Sequence, residues 1–527
     1  MDFPSRRSVV MATHGMVAAS QPLAAQAGLD ILKAGGNAAD AAVATAAMLN
    51  VVEPMSTGIG GDCFALIYEA KTGRIRALNG SGRSPYAATI ATIRERGFKT
   101  MPARGFLPVT VPGTVAGWSD LLQTCGTMSL GRVLQPAIAY ARDGFPVSEL
   151  IARGWTASVS KLAADPAAAA TYLINGRAPK PGEVFRQPDL AHTLQQIADG
   201  GPEAFYRGEI ARKIVEHSRQ NGGLLDLADF ADHTSTWSEP ISITYHGVQI
   251  HECPPNGQGM VALLALNMIQ NDNLNALGYD SPDYLHLMIE AMKLAFADGY
   301  RYVADPDLSP APLADLLSAE HARERRSLVD MQRAMMGPLF DYGSDTVYLT
   351  VVDRDHNAVS FINSLYMGFG SGVVVPGTGI ALQNRGALFS LNPNHANALA
   401  PHKRPYHTII PAMATKDGKL LMSFGVMGGF MQPQGHFQVV ANVVDFGMNP
   451  QQALDAPRFR YDEGYKVAVE SAVGEKSCAE LRKRGHDLAV SPLDPTFGGG
   501  QIIMVYPESN ALMGGSDPRK DGCAVGW

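Results

Sequence analysis

The segment AADAAVATAAMLNVV (38–52) limits the folds open to this chain more than any other part of its sequence. Its residues favour a helix, and apolar side chains occupy nearly every face of that helix rather than a single stripe. Asn37 and Asp40 have the spacing of a capping box, which places the start of the helix directly after Asn37. A helix without a polar face has to be covered on all sides, so we expect several layers with this helix inside.

A change to period-two alternation in the second half of the chain predicts β-sheet. TVYLTVVD (346–353) and AVSFINSLY (358–366) flank a turn at 354–357 and predict a β-hairpin. Further strands are predicted at 8–20, 64–68, 379–383, 408–414, 420–425 and 501–506, and two more at 242–255. Helices are predicted over most of 110–230, at 282–302 and at 430–446, whereas 307–343 is expected to be a polar helix-and-loop segment that is exposed and mobile. This alternation predicts an α/β fold of stacked layers.

The composition excludes several classes of function. The chain has 527 residues, with 43 Lys and Arg against 50 Asp and Glu, and it has no basic stretch that could neutralise phosphates. We therefore expect no nucleic-acid partner. No window approaches ~18 consecutive apolar residues, so no membrane span is expected. No Gly-rich run is followed by the lysine of a phosphate-binding loop, and no cofactor is expected.

The cysteines and histidines favour a reducing compartment without a metal site. The five cysteines are widely spaced and form no CxxC pair, which is typical of a cytoplasmic protein. Arg6 and Arg7 precede a stretch that imitates a secretion signal, but polar residues interrupt it, and 8–20 is interpreted as a strand. His402 and His407 lie in a Pro-rich loop, where solvated or locally bonded imidazoles are more common than metal ligands.

Thr346 is the first candidate for a catalytic residue. It follows a polar stretch and begins a long strand, a position that threonine also takes for its β propensity alone. A threonine becomes a usable nucleophile when an adjacent base accepts its proton, and the free α-amine of an N-terminal threonine is such a base. That chemistry requires cleavage of the bond between Asp345 and Thr346, so it implies a self-processing precursor.

Two further features supply what acyl transfer needs. Gly428 and Gly429 join a predicted strand to a helix, where their backbone N–H groups could stabilise an oxyanion, although a tight turn explains them equally. Ser364 lies on the hairpin partner of Thr346, because pairing Asp353 near Ala358 brings 364–365 opposite Thr346. A hydroxyl at this position could orient the nucleophile, and a plain strand serine is the alternative.

Motifs in order along nearly the whole chain resemble the γ-glutamyltransferase family of N-terminal-nucleophile hydrolases. The first half contributes GLDILKAGGNAADAAVA (28–44), STGIGGDCF (56–64), VPGTVAGW (111–118), ECPPNGQG (252–259) and EAMKLAFADGYRYVADP (290–306). The second half contributes DTVYLTVVDRDHNAV (345–359), FGSG (369–372), APHKRP (400–405), MGG (427–429), APRF (456–459) and GGSDPR (514–519). The ordered set is specific, although each motif alone is weak.

The resemblance implies a four-layer αββα sandwich formed jointly by two associated chains, 1–345 and 346–527, which arise by autocatalytic cleavage. It implies Thr346 as nucleophile and Ser364 as its hydrogen-bonding partner. It also implies Gly428 and Gly429 as oxyanion donors. Arg83, which a Gly-rich turn is expected to expose, falls on the family's carboxylate-binding arginine. Homo-oligomers of such heterodimers are compatible with this pattern.

Departures from the family pattern concern the substrate. Tyr366 and Leu388 replace the asparagine and the acidic residue that hold the α-amino group of a γ-glutamyl substrate, and Leu388 cannot neutralise an ammonium. His407 and Thr408 replace the family's paired serines, and Arg385 is predicted to line the same site. These replacements favour a short carboxylate-bearing amide without an α-amine, with oxamate from purine breakdown as the leading candidate.

Three alternatives stay open at this point. A glutaryl-cephalosporin acylase would share the missing amine site. A glutathione hydrolase or γ-glutamyltransferase would need another acidic residue, for which Asp62 is a candidate. An unprocessed, non-catalytic homologue would remain a single chain.

Overall fold

Two seven-stranded sheets form the centre of the molecule. The computed structural model describes residues 7–338, 345–506 and 508–527. In chain order, its strands are β1 (Val10–Ala12), β2 (Met16–Ala19), β3 (Asp62–Glu69), β4 (Arg74–Asn79), β5 (Phe145–Pro146), β6 (Val184–Phe185), β7 (Thr236–Ser238), β8 (Ile241–Tyr245), β9 (Val248–Glu252), β10 (Asp345–Val352), β11 (Ala358–Tyr366), β12 (Val374–Val375), β13 (Ile380–Ala381), β14 (Ala412–Lys416), β15 (Lys419–Met427), β16 (Phe459–Glu463), β17 (Lys466–Glu470), β18 (Asp487–Ser491), β19 (Gly499–Val505), β20 (Leu512–Ser516) and β21 (Cys523–Gly526).

Helices cover the outer faces of both sheets. In chain order they are α1 (Pro22–Lys33), α2 (Ala38–Val52), α3 (Ile90–Glu95), α4 (Thr114–Cys125), α5 (Leu130–Val133), α6 (Gln135–Asp143), α7 (Glu149–Ala157), α8 (Val159–Leu162), α9 (Pro166–Tyr172), α10 (Pro188–Tyr206), α11 (Glu209–Gln220), α12 (Leu227–Ala231), α13 (Gly259–Ile269), α14 (Leu274–Leu277), α15 (Pro282–Tyr302), α16 (Leu313–Leu316), α17 (Ala319–Ser327), α18 (Met431–Val444), α19 (Pro450–Asp455) and α20 (Glu475–Lys483). In the described residues, no helix combines the length and apolar character that crossing a membrane requires.

The sheets stack to give the four layers predicted from the sequence. The β10 sheet has the order β21-β2-β10-β11-β3-β4-β7, and the β15 sheet has the order β1-β20-β19-β15-β14-β9-β8. Apolar side chains from both sheets fill the space between them, including Phe64, Tyr348, Met413 and Ile503. Helices α1 and α2 pack on the outer face of the β10 sheet, and α13 and α18 pack on the outer face of the β15 sheet. The αββα sandwich is therefore confirmed.

Helix α2 has the environment that its composition predicts. Every one of its residues is buried, and Asn37 and Asp40 form the expected capping box at its start. The Asp40 carboxylate also accepts hydrogen bonds from the backbone of Thr127 and Met128, which ties the start of α2 to the loop after α4. Because α2 contacts β10 and β11 directly, it forms a fixed floor beneath the hairpin that carries Thr346.

The hairpin of β10 and β11 holds the register on which the site depends. Val352 pairs with Ala358 and Val347 pairs with Asn363, but the register shifts by one residue before Asp345, which pairs with Tyr366. A bulge of this kind leaves the extra residue out of the regular ladder and redirects its neighbours. The predicted hairpin is confirmed, and the bulge lies at the bond proposed for cleavage.

One expectation about a segment, the single strand at 8–20, was wrong. Residues 8–20 form two strands, β1 and β2, that belong to different sheets, because the chain turns at 13–15, where the Trp527 carbonyl accepts backbone hydrogen bonds from Thr13 and His14. The polar segment predicted at 307–343 contains α16 and α17 and is mostly exposed over its described residues, with Leu316 and Ala322 among its few buried side chains. His321 and Arg325 on α17 form hydrogen bonds with the buried Asp298 on α15, which holds α17 in place. Hydrophobic periodicity does not reveal such polar pairs. Residues 339–343 of the same prediction lie outside the described residues.

Candidate active site

Thr346 lies at the start of β10, where the strand reaches a cleft of about 270 Å³. Its side chain is buried, and the cleft is also bordered by Asp345, Glu53, Gly428 and Lys520. The bulge in the β10–β11 hairpin sets this position apart from the regular ladder. The strand thus brings one hydroxyl to a small cavity whose wall is mostly apolar but includes several charged side chains.

Ser364 is the nearest side-chain partner of Thr346. The two hydroxyl oxygens are 3.2 Å apart, as the hairpin register predicts. Ser364 also donates to the backbone carbonyl of Asp345 at 2.9 Å, which is the carbonyl of the bond between Asp345 and Thr346. The backbone N–H of Tyr366 donates to Ser364 Oγ at 2.8 Å. One serine hydroxyl therefore contacts both the candidate nucleophile and the carbonyl that this nucleophile would attack.

Gly428 and Gly429 connect β15 to α18 beside this cleft. Their φ angles are +121° and +58°, values that side chains other than glycine rarely tolerate. Gly428 borders the cleft, and within the described residues neither glycine N–H has a hydrogen-bond acceptor. Gln258 holds the turn in place by donating to the Gly429 carbonyl at 2.9 Å. The turn thus offers uncommitted backbone donors, and one of its glycines, Gly428, borders the cleft that contains Thr346.

Asp345, the residue that precedes Thr346 across the bond proposed for cleavage, is half-buried. Burial raises the pKa of its carboxyl group to about 7, and the nearby Lys520 and Lys161 offset only part of this effect. Glu53, which accepts hydrogen bonds from Ser20 and Ser56, raises the pKa of Asp345 further by charge repulsion. Sequence reasoning missed Glu53 and Lys520, because only their positions next to quoted motifs hinted at them.

Arg385 is fully buried beneath the hairpin end. Its guanidinium donates to Ser364 Oγ at 3.0 Å and to Thr408 Oγ1 at 2.6 Å, and it lies 4.5 Å from the centre of the Tyr366 ring. Tyr366 and Thr408 are themselves buried. The three residues were predicted to contact substrate, and the structure places them in a packed layer behind Ser364 that borders neither the Thr346 cleft nor the pocket at Leu388.

His407 and Asp62 form a second buried pair. The Asp62 carboxylate accepts hydrogen bonds from four donors: His407 Nε2 at 3.0 Å, Gln383 Nε2 at 2.9 Å and the backbone N–H groups of Gly82 and Gly113. Burial lowers the pKa of His407 to about 3, so the imidazole is neutral. Asp62 is therefore committed to the scaffold, and it cannot take the part of the missing amine-binding acid.

Leu388 borders a second pocket, of about 620 Å³, rather than the Thr346 cleft. Apolar and aromatic side chains form much of its wall, including Leu391, Tyr406 and Phe430. The charged side chains on its lining are Arg94 and Lys99, and no carboxylate is among the described lining residues. This pocket is basic and partly apolar, so it disfavours an ammonium group.

Arg83 is apart from both cavities. Its side chain is largely buried rather than exposed, so the expected exposure is wrong: the turn packs against 109–111, where Val111 N–H donates to the Arg83 carbonyl. Its guanidinium lies 3.9 Å from the carboxylate of Asp307. The structure does not place Arg83 on the lining of the Thr346 cleft, and its carboxylate-binding role stays a prediction.

One cluster could be mistaken for a metal site. His286, Glu290 and His486 are buried, and their potential ligand atoms lie within 4.8 Å of one another. The ammonium of Lys293 already donates to Glu290 at 2.7 Å, and His286 shares a hydrogen bond of 2.8 Å with His486. The chain's own lysine thus supplies the positive charge that a metal would bring, so we assign this cluster a structural role.

Comparison with known proteins gives matches over nearly the whole chain. A family model described as gamma-glutamyltranspeptidase matches residues 24–527. The glutathione hydrolase-like YwrD proenzyme of Bacillus subtilis (strain 168) is 41% identical over 98% of this chain and 99% of its own length. The oxamate amidohydrolase proenzyme of Klebsiella pneumoniae subsp. pneumoniae is 35% identical over 98% of this chain and 99% of its own.

A solved structure gives the same result in three dimensions. The crystal structure of cephalosporin acylase from Bacillus halodurans superposes with a TM-score of 0.95 at 49% identity, covering 100% of this chain and 98% of that one. The chain therefore belongs to the gamma-glutamyltranspeptidase family and is an N-terminal-nucleophile amidohydrolase proenzyme of that family.

Proposed function

We propose that this protein cleaves itself before Thr346 and then uses the new N-terminal threonine to hydrolyse a small amide whose acyl group carries a carboxylate but no α-amine. The observation that carries this proposal is the position of Thr346: its buried hydroxyl is 3.2 Å from Ser364 and shares a cleft with Gly428. The candidate nucleophile and one candidate oxyanion donor thus border the same cavity, and the orienting hydroxyl contacts the nucleophile from behind.

Self-processing begins with attack by Thr346 Oγ on the carbonyl carbon of Asp345. The Asp345 C–N bond breaks as an ester forms, and the amide nitrogen takes a proton to become the free α-amine of Thr346. Water then hydrolyses the ester, which leaves Asp345 as a carboxyl terminus and restores the Thr346 hydroxyl. Ser364 donates to the attacked carbonyl at 2.9 Å and so favours the build-up of negative charge on its oxygen.

Turnover repeats the same chemistry on an external amide. The α-amine of Thr346 accepts the hydroxyl proton while Oγ attacks the substrate carbonyl. Backbone N–H groups of Gly428 and Gly429 stabilise the tetrahedral oxyanion, an effect worth ~3–4 kcal/mol for one donor in measured enzymes. The leaving nitrogen takes the proton from the α-amine and departs, and water hydrolyses the acyl ester.

The charges of the site support an acyl group without an ammonium. Leu388 stands where γ-glutamyl enzymes have an acid, and the pocket that it borders has two basic side chains and no carboxylate among the described lining residues. Asp62 has four hydrogen-bond donors and is unavailable as a substitute. An unpaired ammonium in such a pocket would be costly. A γ-glutamyl substrate is therefore disfavoured.

Oxamate, hydrolysed to oxalate and ammonia in purine breakdown, is our first candidate substrate. A cleft of about 270 Å³ is smaller than the ~300–1,000 Å³ of typical drug-sized sites, so the room beside Thr346 suits a short acyl group. A relative at 35% identity is named an oxamate amidohydrolase.

A glutaryl-type amide is the second candidate, and the larger pocket favours it. A volume of about 620 Å³ with an apolar wall and a basic rim would hold an amphipathic, anionic group better than it would hold oxamate. The crystal structure at 49% identity is titled a cephalosporin acylase. The two candidates differ in the size of the acyl or leaving group, not in mechanism.

A panel of three amides tests the substrate class. Purified, processed protein is incubated with oxamate, glutaryl-p-nitroanilide and γ-glutamyl-p-nitroanilide, and ammonia or nitroaniline release is measured. We expect turnover of oxamate or of the glutaryl compound to exceed that of the γ-glutamyl compound by at least about tenfold, since one unpaired charge costs more than that factor. Preferential turnover of the γ-glutamyl compound would refute our interpretation of Tyr366 and Leu388.

Thr346→Ala is the control for the mechanism. Mass spectrometry of the wild type should show a chain that begins at Thr346, whereas the alanine variant should remain a full-length chain without turnover. A variant that still divides into two chains would mean that another group performs the cleavage. A wild type that stays whole would favour the non-catalytic alternative.

A further inference from the structure

Arg385 is a buried cation for which the described residues supply no carboxylate within 4 Å. Its side chain is fully buried, and its hydrogen bonds go to two neutral hydroxyls, those of Ser364 and Thr408. Asp62, the acid that most favours its charged form, lies beyond ion-pair distance. Burying a charge without a direct counter-ion is expensive, so a cation in this position requires an explanation.

Hydrogen-bond counting at Ser364 supplies one. A serine hydroxyl has one proton to donate and two lone pairs that can accept. The Tyr366 backbone N–H and the Arg385 guanidinium fill the two accepting positions, at 2.8 and 3.0 Å. Neither donor can reverse its role, because an amide N–H and a guanidinium only donate. The single proton of Ser364 must therefore point away from them, toward the Asp345 carbonyl or Thr346 Oγ1.

This constraint has a different consequence before and after cleavage. In the precursor the proton goes to the Asp345 carbonyl at 2.9 Å, which is the shorter contact. After cleavage the carbonyl oxygen leaves with the other chain end, and the remaining acceptor is Thr346 Oγ1 at 3.2 Å. If Ser364 donates to Oγ1, the proton of Thr346 itself has to point elsewhere, and the adjacent α-amine is the base that needs it.

We propose that Arg385 is the positioning residue that fixes the direction of the Ser364 hydroxyl proton, so that Ser364 activates the scissile carbonyl during processing and aligns the Thr346 proton with the α-amine during turnover. The inference rests on the proposed function, and it adds a residue that acts through Ser364 rather than on substrate. The positive charge two hydrogen bonds away also stabilises negative charge on Thr346 Oγ as it forms.

Direct binding of substrate by Arg385 does not agree with the geometry. The guanidinium is covered by Tyr366 on one face and by Thr408 at one edge. Arg385 borders neither the Thr346 cleft nor the pocket at Leu388. The Arg385 pKa is lowered by burial to about 10, so the group remains a cation at neutral pH.

The test combines Arg385→Gln, Arg385→Lys and Ser364→Ala with the double variant. Processing is followed as conversion of full-length chain by mass spectrometry, and kcat and KM are measured on the best amide of the panel. We expect R385Q to lower both the processing rate and kcat by at least about tenfold with KM within about twofold, because the interaction acts on the transition state. R385K should recover part of the loss, since an ammonium can still donate to Ser364.

The double variant separates positioning from general damage. If Arg385 acts through Ser364, R385Q should have little further effect in the S364A background. In the profile of kcat against pH, R385Q should shift the acidic limb only when Ser364 is present. Arg458→Gln is the matched control, because Arg458 is equally buried but paired with Asp517 at 2.6 Å. R458Q should lower the melting temperature without showing coupling to S364A.

Two kinds of result would overturn the proposal. Rates of R385Q within threefold of wild type, or effects that multiply in the double variant, would show that Arg385 does not act through Ser364. A rise in KM restricted to anionic amides, with processing unchanged, would make Arg385 a substrate ligand instead. Either result leaves wild-type cleavage before Thr346 intact, so failure here differs from failure of the proposed function.

Discussion

Asp345 and Thr346 share a peptide bond, but their side chains have different environments. Thr346 is buried beside a neutral hydroxyl, whereas Asp345 is half-buried among charges, and the pKa of its carboxyl group is raised from 3.8 to about 7. The unfolded chain releases this proton more readily than the folded chain does. The contribution of Asp345 to the free energy of unfolding is therefore fully present below pH about 4. It is lost as the pH rises from there through about 7, because the unfolded chain ionises this carboxyl group first.

Asp345→Asn in the uncleaved Thr346→Ala background should remove this pH dependence. The melting temperature of the double variant, relative to T346A alone, should be nearly equal at pH 4 and about 2 °C higher at pH 8. Asp143→Asn is the control, since Asp143 pairs with Arg142 in solvent and its pKa is lowered rather than raised. A difference that does not grow with pH would contradict the environment described for Asp345.

At the scale of elements, the site depends on the turns at which strands end, and the two ends of β15 illustrate this. The β15–α18 junction carries Gly428 at a φ of +121°, and an added Cβ would lie 3.3 Å from Gly498 Cα. At the other end of β15, Gly418 has a φ of +75°, but an added Cβ would meet nothing within 4 Å. The two glycines thus share a backbone requirement, and only Gly428 borders the cleft.

Gly428→Ala should lower kcat by about 10²-fold with little change in KM, because the turn would displace an oxyanion donor. Gly418→Ala has a similar cost of positive φ, about 1–2 kcal/mol, and should leave kcat unchanged. Steady-state kinetics and melting temperatures of both variants check this. Equal losses of activity in the two variants would show that backbone strain alone is responsible.

Helix α15 holds residues 330–335 through buried polar groups. Lys293 donates to the Met335 carbonyl at 2.8 Å, and Glu290 accepts from the Met335 N–H at 2.9 Å. His286 contacts the Asp330 carbonyl at 2.9 Å. These bonds anchor residues 330–335 to α15.

Lys293→Met should lower stability by about 3–5 kcal/mol, because Glu290 would remain buried without its partner. Lys466→Met provides a matched control: Lys466 and Glu463 are also three residues apart and 2.7 Å from each other, but they are exposed. The exposed pair should contribute little to stability, because solvent screens its charges. Urea unfolding followed by fluorescence measures both, and similar effects would contradict the burial argument.

At the scale of the whole molecule, the two predicted chains share one sheet. In the β10 sheet, β2 and β3 belong to the large chain, and they flank the β10–β11 hairpin of the small chain. β21, also from the small chain, pairs with the far edge of β2. Neither chain could keep its sheet edges paired alone.

Cleaved protein should therefore elute as a single species in size-exclusion chromatography and separate into chains of 345 and 182 residues only under denaturing conditions. Native mass spectrometry gives the same information directly. Dissociation of the two chains in mild buffer would contradict the shared sheet. T346A should elute at the same volume, since cleavage changes no strand pairing.

Local hydrophobic patterns in the sequence were enough to predict elements whose side chains follow one regular pattern of burial. The all-apolar α2 and the alternating hairpin of β10 and β11 are examples, and the hairpin register also predicted Ser364 beside Thr346. Arg385 and Asp62 were different. Arg385 was predicted to contact substrate, and Asp62 was a candidate acid only for the γ-glutamyl alternative, but both hold partners distant in sequence, as in the pair of Asp62 with His407. Periodicity carries no information about such pairings, so the buried polar layer became visible only in three dimensions.

The bulge at Asp345 and the interleaved strands have a joint consequence for quality control in the cell. The attacking hydroxyl meets its target carbonyl only after β10 has found both neighbours, so a copy with mispaired strands lacks the geometry to cut itself. Such a copy would never acquire the terminal amine that turnover demands. Under the proposed mechanism, self-cleavage therefore depends on correct strand pairing, and only correctly assembled molecules become active.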